Sequence, residues 1–322
     1  MAGLVAAVRA RELGLEPVMI EKGARVGGSM LLSSCVVWRH LRWEDFRAEC
    51  PGGDEALQRL VWERLDDALA WLVSLGAEPV WDDTENPRTT GKRFDPRALT
   101  ELLVARADVR LQTSLAPDAE PPVVLATGGF GRRLAEERGL LLRANPWSTG
   151  DALDWALAHG ASVTAGMGEF YGRAMPARPA RIREEDFVRL AQLYGSEARV
   201  LTDDGRDITP PKVAWHENDL AQLIGPSAWY VVERTNERIE AAREVGGTVR
   251  SGADGRLAVH VSAGVTHTIG GLLVDERARV VGLDGVWAAG VDAGGVATGG
   301  YSSGLAQALV LGLAAAEDAS AA

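Results

Sequence analysis

The chain has 322 residues, 46% hydrophobic and 25% charged, so it can bury a substantial core and is not of the disordered class. Its formal net charge of −11 excludes a general nucleic-acid binder. The two cysteines, Cys35 and Cys50, fit neither a metal site nor a disulfide framework, which favours a reducing cytoplasm. No secretion signal or membrane span is predicted, because the longest apolar run, 305–316, is too short to cross a bilayer.

In chain order, the first part of the sequence predicts helices that alternate with short apolar strands. Asp54 and Asp95 are the expected N-caps of two of these helices. The strand after the first helix ends on an acidic residue, Glu21. The helices are predicted at 2–13, 54–76 and 95–107, and the strands at 16–22, at 109–112 and at the start of 123–131.

The texture changes from Arg132 to Val261, where short helices alternate with loops rich in Pro and Gly. This stretch predicts a second domain inserted into a domain built from both chain ends. Its short basic cluster, 175–183, predicts a solvated or substrate-facing loop. Helices are predicted at 150–160, 196–201 and 233–247, strands at 270–275, 278–283 and 285–290, and a final helix at 305–316.

Gly3 and Glu21 are spaced like parts of a dinucleotide-binding unit, in which a glycine permits close helix–strand packing and an acid about 20 residues on binds a ribose hydroxyl. The glycines and strand that open such a unit do not precede Gly3. We therefore predict an α/β, Rossmann-like domain lacking its first strand. We expect either that about ten further residues, an apolar strand and two glycines, lie upstream of Met1, or that the chain binds its dinucleotide poorly. An ordinary helix–strand pair with a polar strand end is the alternative reading of this segment.

Further glycine motifs follow in a fixed order: EKGARVGGS at 21–29, VVLATGGFG at 123–131, HTIGGL at 267–272 and GVWAAG at 285–290. Together they resemble the fumarate reductase/succinate dehydrogenase flavoprotein family, in the branch of the 3-ketosteroid and tricarballylate dehydrogenases. The resemblance runs over most of the chain. It implies an FAD-binding domain at 1–131 plus 263–322 and an inserted α+β substrate or cap domain at 132–262.

The resemblance also implies non-covalent FAD. The covalent branch of the family attaches FAD through a His in the loop after the Gly-Gly-Ser motif, and here no His precedes His40. No metal ligand is implied. The implied cofactor-binding residues are Gly3, Glu21, Lys22, Gly27, Gly28, Ser29, Ala126, Thr127, Gly128, Gly129, Gly290, Ser303 and Leu305.

Four residues are implied for catalysis. His267 matches a family His that binds substrate, and ordering of the flavin loop is its alternative role. Tyr301 and the backbone N–H of Gly304 match groups that stabilise an enolate oxygen. The alternative is that Tyr301 is a buried residue whose hydroxyl is satisfied within the protein. Arg234 falls in the region of the family's general acid; the alternative is a solvated Arg on a helix. Two further residues, Glu169 and Tyr171, are expected to line the substrate side.

The implied reaction is hydride transfer between flavin N5 and a carbon next to a carbonyl or carboxylate. Reductase members clamp a dicarboxylate with an Arg near the C-terminus, and no Arg occurs here after Gly282, which favours dehydrogenation over alkene reduction. The expected partners are a small-molecule substrate and an electron acceptor or donor, in the cytoplasm, without nucleic acid or a membrane span. The alternative is a non-catalytic relic or scaffold that has lost the flavin.

Overall fold

The computed structural model describes residues 1–191, 193–233 and 237–321. The backbone divides into two compact units, which are described separately. Unit 1 comprises Met1–Phe130, Asn145–Glu169 and His267–Ala322, and unit 2 comprises Gly131–Ala144 and Phe170–Thr266. The predicted functional domains, 1–131 with 263–322 and 132–262, stay a prediction.

Six of the seven predicted helices have counterparts among the helices of the described residues, and two of these begin at the predicted caps. Asp54 accepts a hydrogen bond from the backbone of Leu57, and Asp95 accepts from Arg97 and Ala98. The helices are α1 (Ala2–Glu12), α2 (Trp43–Glu49), α3 (Glu55–Ser74), α4 (Pro96–Val104), α5 (Gly131–Arg138), α6 (Asp151–Ala158), α7 (Phe187–Leu190), α8 (Asn218–Ile224), α9 (Glu237–Glu244) and α10 (Gly304–Ala321). Helices α2, α5, α7 and α8 were not predicted.

Short 3-10 turns lie at Gly28–Leu32, Glu184–Asp186, Gly195–Glu197 and Gly290–Asp292. The strands are β1 (Met19–Glu21), β2 (Val36–His40), β3 (Pro79–Trp81), β4 (Thr89–Phe94), β5 (Val109–Leu111), β6 (Val123–Leu125), β7 (Leu141–Leu142), β8 (Phe170–Pro176), β9 (Arg199–Leu201), β10 (Ala228–Val232), β11 (Val249–Ser251), β12 (Leu257–Thr268) and β13 (Val286–Ala288). Strand lengths range from two residues in β7 to twelve in β12.

Unit 1 contains two parallel strand pairs, which are typical of an α/β architecture. Strand β1 pairs with β5, and β6 pairs with β13. Helix α10, which is buried along most of its length, packs against α1 and α3. Strands β2, β4 and β3 form a separate antiparallel sheet in that order. Helix α1 contacts both β1 and β6, so the sequence motifs that follow these two strands lie near the same helix.

Unit 2 is built on a mostly antiparallel sheet in the order β11-β12-β10-β9, to which β7 and β8 add by pairing with β12. This sheet corrects the helix predicted at 196–201, since Arg199, Val200 and Leu201 form β9 and pair with β10. Pairing with β10 outweighs the local helical preference of these residues. The predicted strands at 270–275 and 278–283 are also wrong, because among the described residues they form only isolated bridges.

Candidate cofactor and active site

The end of β1 presents the acid expected to meet a ribose. Glu21 Oε1 accepts a hydrogen bond from the backbone of Gly23 at 2.7 Å, which fixes the carboxylate beside the strand end. Gly3 of α1 stands where a Cβ would lie 3.3 Å from Met19 Cε and 3.4 Å from Ala126 Cβ. Helix α1 thus packs closely at Gly3 on the start of β1 and on the residue after β6, and a side chain there would tighten this contact.

The loop after β1 is held by residues from 145–151, which sequence reasoning did not place near it. The Lys22 ammonium donates to Thr149 Oγ1 at 2.7 Å and pairs with Asp151 at 2.9 Å. Trp147 packs on the backbone of Gly23, where an added Cβ would lie 2.4 Å from the indole. Lys22 thus has protein partners at the position where the sequence predicts a cofactor contact.

The Gly-Gly-Ser motif turns sharply at two glycines in the left-handed region, Gly27 at φ 102° and Gly28 at φ 53°. A Cβ at Gly28 would meet a single side-chain atom, Asn145 Nδ2 at 3.7 Å, so its surroundings are open. Ser29 Oγ accepts from the backbone of Asn145 at 3.0 Å. The motif and the 145–151 segment therefore form one loop cluster.

The loop after β6 is organised by a carboxylate that the sequence analysis missed, Asp292. Its oxygens accept from Thr127 Oγ1 at 2.9 Å and from the backbone amides of Gly128 at 2.9 Å and Gly129 at 3.1 Å. The side chain is buried, and burial raises its pKa although these hydrogen bonds oppose the shift. The Thr127 hydroxyl, predicted to bind the cofactor, donates to Asp292.

Open space and close contact alternate along this loop. A Cβ at Gly128 would meet nothing within 4 Å, whereas one at Gly129 would lie 2.6 Å from Thr268 Oγ1. That Thr268 hydroxyl is buried and has no hydrogen-bond partner among the described residues. A polar atom left in this way marks a place where a bound group can complete the hydrogen bonding.

Helix α10 begins at the predicted Ser303–Leu305 segment. Ser303 Oγ accepts from the backbone of Ala306 at 3.3 Å, the bond of an N-cap, and also from the backbone of Trp38 at 3.4 Å. The buried Gln307 amide donates to the carbonyls of Gly290 and Ala293 at 2.9 and 2.7 Å. The GVWAAG motif is thereby tied to the start of α10.

His267 and Gly304 lie together at this helix start. A Cβ at Gly304 would stand 3.0 Å from His267 Cε1 and 3.2 Å from Nε2, so the imidazole covers the first residue of α10. The Tyr301 ring lies 5.4 Å from that of Trp38, and the Tyr301 carbonyl lies 3.4 Å from His40 Nε2. Trp38 and His40 were not predicted, because nothing in their local sequence links β2 to residue 301.

The other predicted residues fall in different places. Glu169 belongs to unit 1, where its carboxylate accepts from the backbone of Gly299 at 2.7 Å. Tyr171 belongs to unit 2, and its hydroxyl accepts from Arg173 Nε at 2.9 Å. Arg234, the predicted general acid, lies outside the described residues.

These features fit FAD on physical grounds. Open glycine backbone at residues 28 and 128 permits close approach of a phosphate or ribityl chain. The orphaned Thr268 hydroxyl and the N-terminus of α10 supply hydrogen-bonding groups for a bound ligand. No helix among the described residues is long and apolar enough to cross a membrane.

Comparison with known proteins gives the same cofactor. The model of the FAD binding domain family matches residues 110–305. A flavocytochrome c3 fumarate reductase in its open conformation superposes with a TM-score of 0.73 at 20% identity, covering 99% of this chain and 76% of that chain. No curated protein sequence matches.

Two 3-ketosteroid dehydrogenases also share the fold. The Δ4-(5α)-dehydrogenase from Rhodococcus jostii RHA1 has a TM-score of 0.69 at 17% identity, over 99% of this chain and 94% of that chain. The Δ1-dehydrogenase from Sterolibacterium denitrificans has a TM-score of 0.72 at 15% identity, over 99% and 98%. The chain belongs to the FAD binding domain family, with FAD as its cofactor and a Rossmann-like α/β fold.

Proposed function

We propose that the chain dehydrogenates a C–C bond next to a carbonyl or carboxylate, or reduces the corresponding alkene, with FAD bound non-covalently. One observation carries the proposal: the His267 imidazole lies against Gly304, 3.0 Å from the position of its absent Cβ. An imidazole ring and the first backbone N–H groups of a helix thus meet at one place.

This arrangement suits a reaction that builds negative charge on an oxygen. Loss of a proton from the carbon beside a carbonyl leaves the electron pair of the C–H bond behind and shifts negative charge to the carbonyl oxygen. The N-terminus of α10 stabilises that charge through its backbone N–H groups and the helix dipole. We assign a second hydrogen bond to the Tyr301 hydroxyl, and proton exchange with substrate to His267. When bound, FAD supplies the hydride acceptor or donor.

A ketone substrate is favoured over a dicarboxylate. The described structures with similar folds include two ketosteroid dehydrogenases, one in complex with 4-androstene-3,17-dione and one with 1,4-androstadiene-3,17-dione. Arg279 is the last arginine of the sequence, so no Arg lies at the start of α10 to clamp a carboxylate. The aromatic rings of Trp38 and Tyr301 add an apolar surface beside the helix start. The predicted role of Arg234 remains part of the proposal.

The electron partner is proposed as an external carrier. Structures with similar folds include a succinate dehydrogenase in complex with UQ1 and a quinol–fumarate reductase. A quinone-type acceptor is therefore the first to test, with a soluble dye as the comparison. If FAD is bound non-covalently, heat precipitation of the protein will release yellow FAD into the supernatant, whereas covalent FAD would stay in the pellet.

The proposal is tested by anaerobic bleaching of the flavin absorbance with ketosteroids, enoates and dicarboxylates. We expect at least one ketone to bleach the FAD-loaded protein. Tyr301→Phe and His267→Asn are expected to slow bleaching about 100-fold, by the size of one lost transition-state hydrogen bond. His159→Asn is the matched control, because His159 is an exposed His whose Nδ1 lies 2.7 Å from the Trp155 carbonyl.

Two results would reject the reading. If no compound of the panel bleaches the flavin, the reaction class is wrong. If the purified protein is colourless and takes up no added FAD, the relic alternative replaces the enzyme.

A further inference from the structure

We propose that unit 2 holds a binding site for a small monocarboxylate with a compact apolar body, seated in a cavity lined by β7, β8 and the segment 178–187. The cavity measures about 160 Å³. Its lining residues include four large apolar ones and one arginine: Leu141, Met175, Ile182, Phe187 and Arg178. This site is separate from the residues assigned to the oxidoreductase reaction.

The apolar lining sets the size of the ligand. Met175 and Phe187 are 1% and 7% exposed, so this part of the wall is dry. An apolar cavity of about 150 Å³ is known to hold benzene. The cavity in unit 2 therefore accepts one six-membered ring or an alkyl chain of similar volume, and it is too small for a fused ring system.

Arg178 sets the charge of the ligand. It is the one ionisable residue among the described lining residues, and it has no hydrogen bond or ion pair among the described residues. Other arginines of this region are paired: Arg183 lies 3.6 Å from Glu185, and Arg189 lies 3.1 Å from Asp186.

An exposed arginine alone would not make a site, and Arg181 illustrates this. Arg181 is also exposed and without a side-chain partner among the described residues, but it does not line the cavity. Arg178 combines a free guanidinium with an adjoining apolar cavity. Guanidinium binds a carboxylate through two parallel hydrogen bonds, and the cavity removes the attached apolar group from water.

The test uses 4-fluorobenzoate with the FAD-loaded protein and follows the fluorine NMR line width during titration. We expect saturable binding that Arg178→Gln weakens about fivefold or more, the scale of a partly exposed ion pair. Ala180→Met, which fills the cavity from its own wall, is expected to abolish binding. Arg181→Gln, the charge-matched control, is expected to leave the affinity unchanged, and neutral 4-fluorobenzyl alcohol is expected to bind more weakly.

The proposal is overturned if 4-fluorobenzoate shows no saturable binding up to about 10 mM. It is also overturned if Arg178→Gln leaves the affinity unchanged, because the ligand then binds elsewhere. The flavin spectrum verifies that each variant is folded. Since the readout needs no turnover, a failure of the proposed dehydrogenation leaves this result interpretable.

Discussion

The loop after β6 and the loop after β1 each follow a strand of a parallel pair and contain glycine, but different contacts hold them in place. Asp292, a buried carboxylate, binds three donors of the first loop. The second loop depends on Lys22 and Asp151, whose side chains are 36% and 29% exposed. Buried hydrogen bonds to a charge are worth more than partly solvated ion pairs. We therefore expect substitutions in the loop after β6 to lower the free energy of unfolding more than substitutions in the loop after β1.

The largest effect is expected from Asp292→Ala. The change leaves two backbone amides and the Thr127 hydroxyl without their acceptor in a buried place. We expect a loss of about 3 kcal/mol or more in the free energy of unfolding, measured by denaturant titration. Asp292→Asn, which keeps one acceptor oxygen, should cost less; equal losses would show that geometry at this position matters more than the acceptor.

The same carboxylate gives a pH dependence. Burial raises the pKa of Asp292 above its ordinary value of 3.8 in the folded protein, so the folded state holds the proton at pH values where the unfolded state has lost it. Between 3.8 and the raised pKa, stability therefore falls as pH increases. Denaturant titrations at a series of pH values should show this slope in the wild type and a smaller one in Asp292→Asn. Parallel curves for the two proteins would contradict it.

Substitutions at Gly129 and Gly128 distinguish the stability cost of steric contact from the cost of a left-handed backbone conformation in the loop after β6. Gly129→Ala adds a Cβ 2.6 Å from Thr268 Oγ1 at a residue whose φ is 72°. We expect the free energy of unfolding to fall by about 2 kcal/mol or more. Gly14→Ala is the control, since its φ of 86° is equally left-handed and nothing lies within 4 Å of the new Cβ. That control should lose about 1 kcal/mol.

Gly128→Ala should act on the cofactor more than on stability. Its φ is 89° and its surroundings are open, so its stability loss should match that of Gly14→Ala. The new methyl group enters the space where we expect FAD to approach the backbone. FAD affinity, measured by flavin fluorescence quenching, should fall about fivefold or more. An unchanged affinity would remove Gly128 from the cofactor site.

The smallest effect is expected in the second loop. Lys22→Met breaks the 2.9 Å pair with Asp151, and because both groups are partly solvated the cost should be about 0.5 kcal/mol and should shrink at high salt. Arg132→Met, which breaks the 2.8 Å surface pair with Glu136, gives a comparison of the same kind. A loss as large as that of Asp292→Ala would mean that the two loops are not different.

Local signals predicted the longer helices correctly, but they missed α2, α5, α7 and α8 and the contacts that hold the loops. The caps at Asp54 and Asp95 are correct because an N-cap acts on amides two or three residues away. Asp292 escaped notice because Thr127, its partner, is 165 residues distant in sequence. Such a contact exists only after β6 and β13 have paired.

The two wrong strand predictions have a backbone cause. In 270–275, Gly270 and Gly271 pack so closely that a Cβ at Gly270 would lie 2.5 Å from the backbone nitrogen of Met167. The amides of Gly270 and Leu272 donate to Gly166 and Asp292 rather than to one neighbouring strand. Apolar alternation indicates burial of this segment but not which backbone groups accept its hydrogen bonds.

The amide of Gln307 has a consequence for cooperativity. It donates to the carbonyls of Gly290 and Ala293 from within α10, while Ser303 joins the same helix start to the backbone of Trp38. The turn after β13, the first turn of α10 and strand β2 therefore lose hydrogen bonds together when any one of them opens. Regions linked in this way exchange their amide protons as a single opening unit. The residues that meet His267 should consequently be among the last of unit 1 to exchange with solvent.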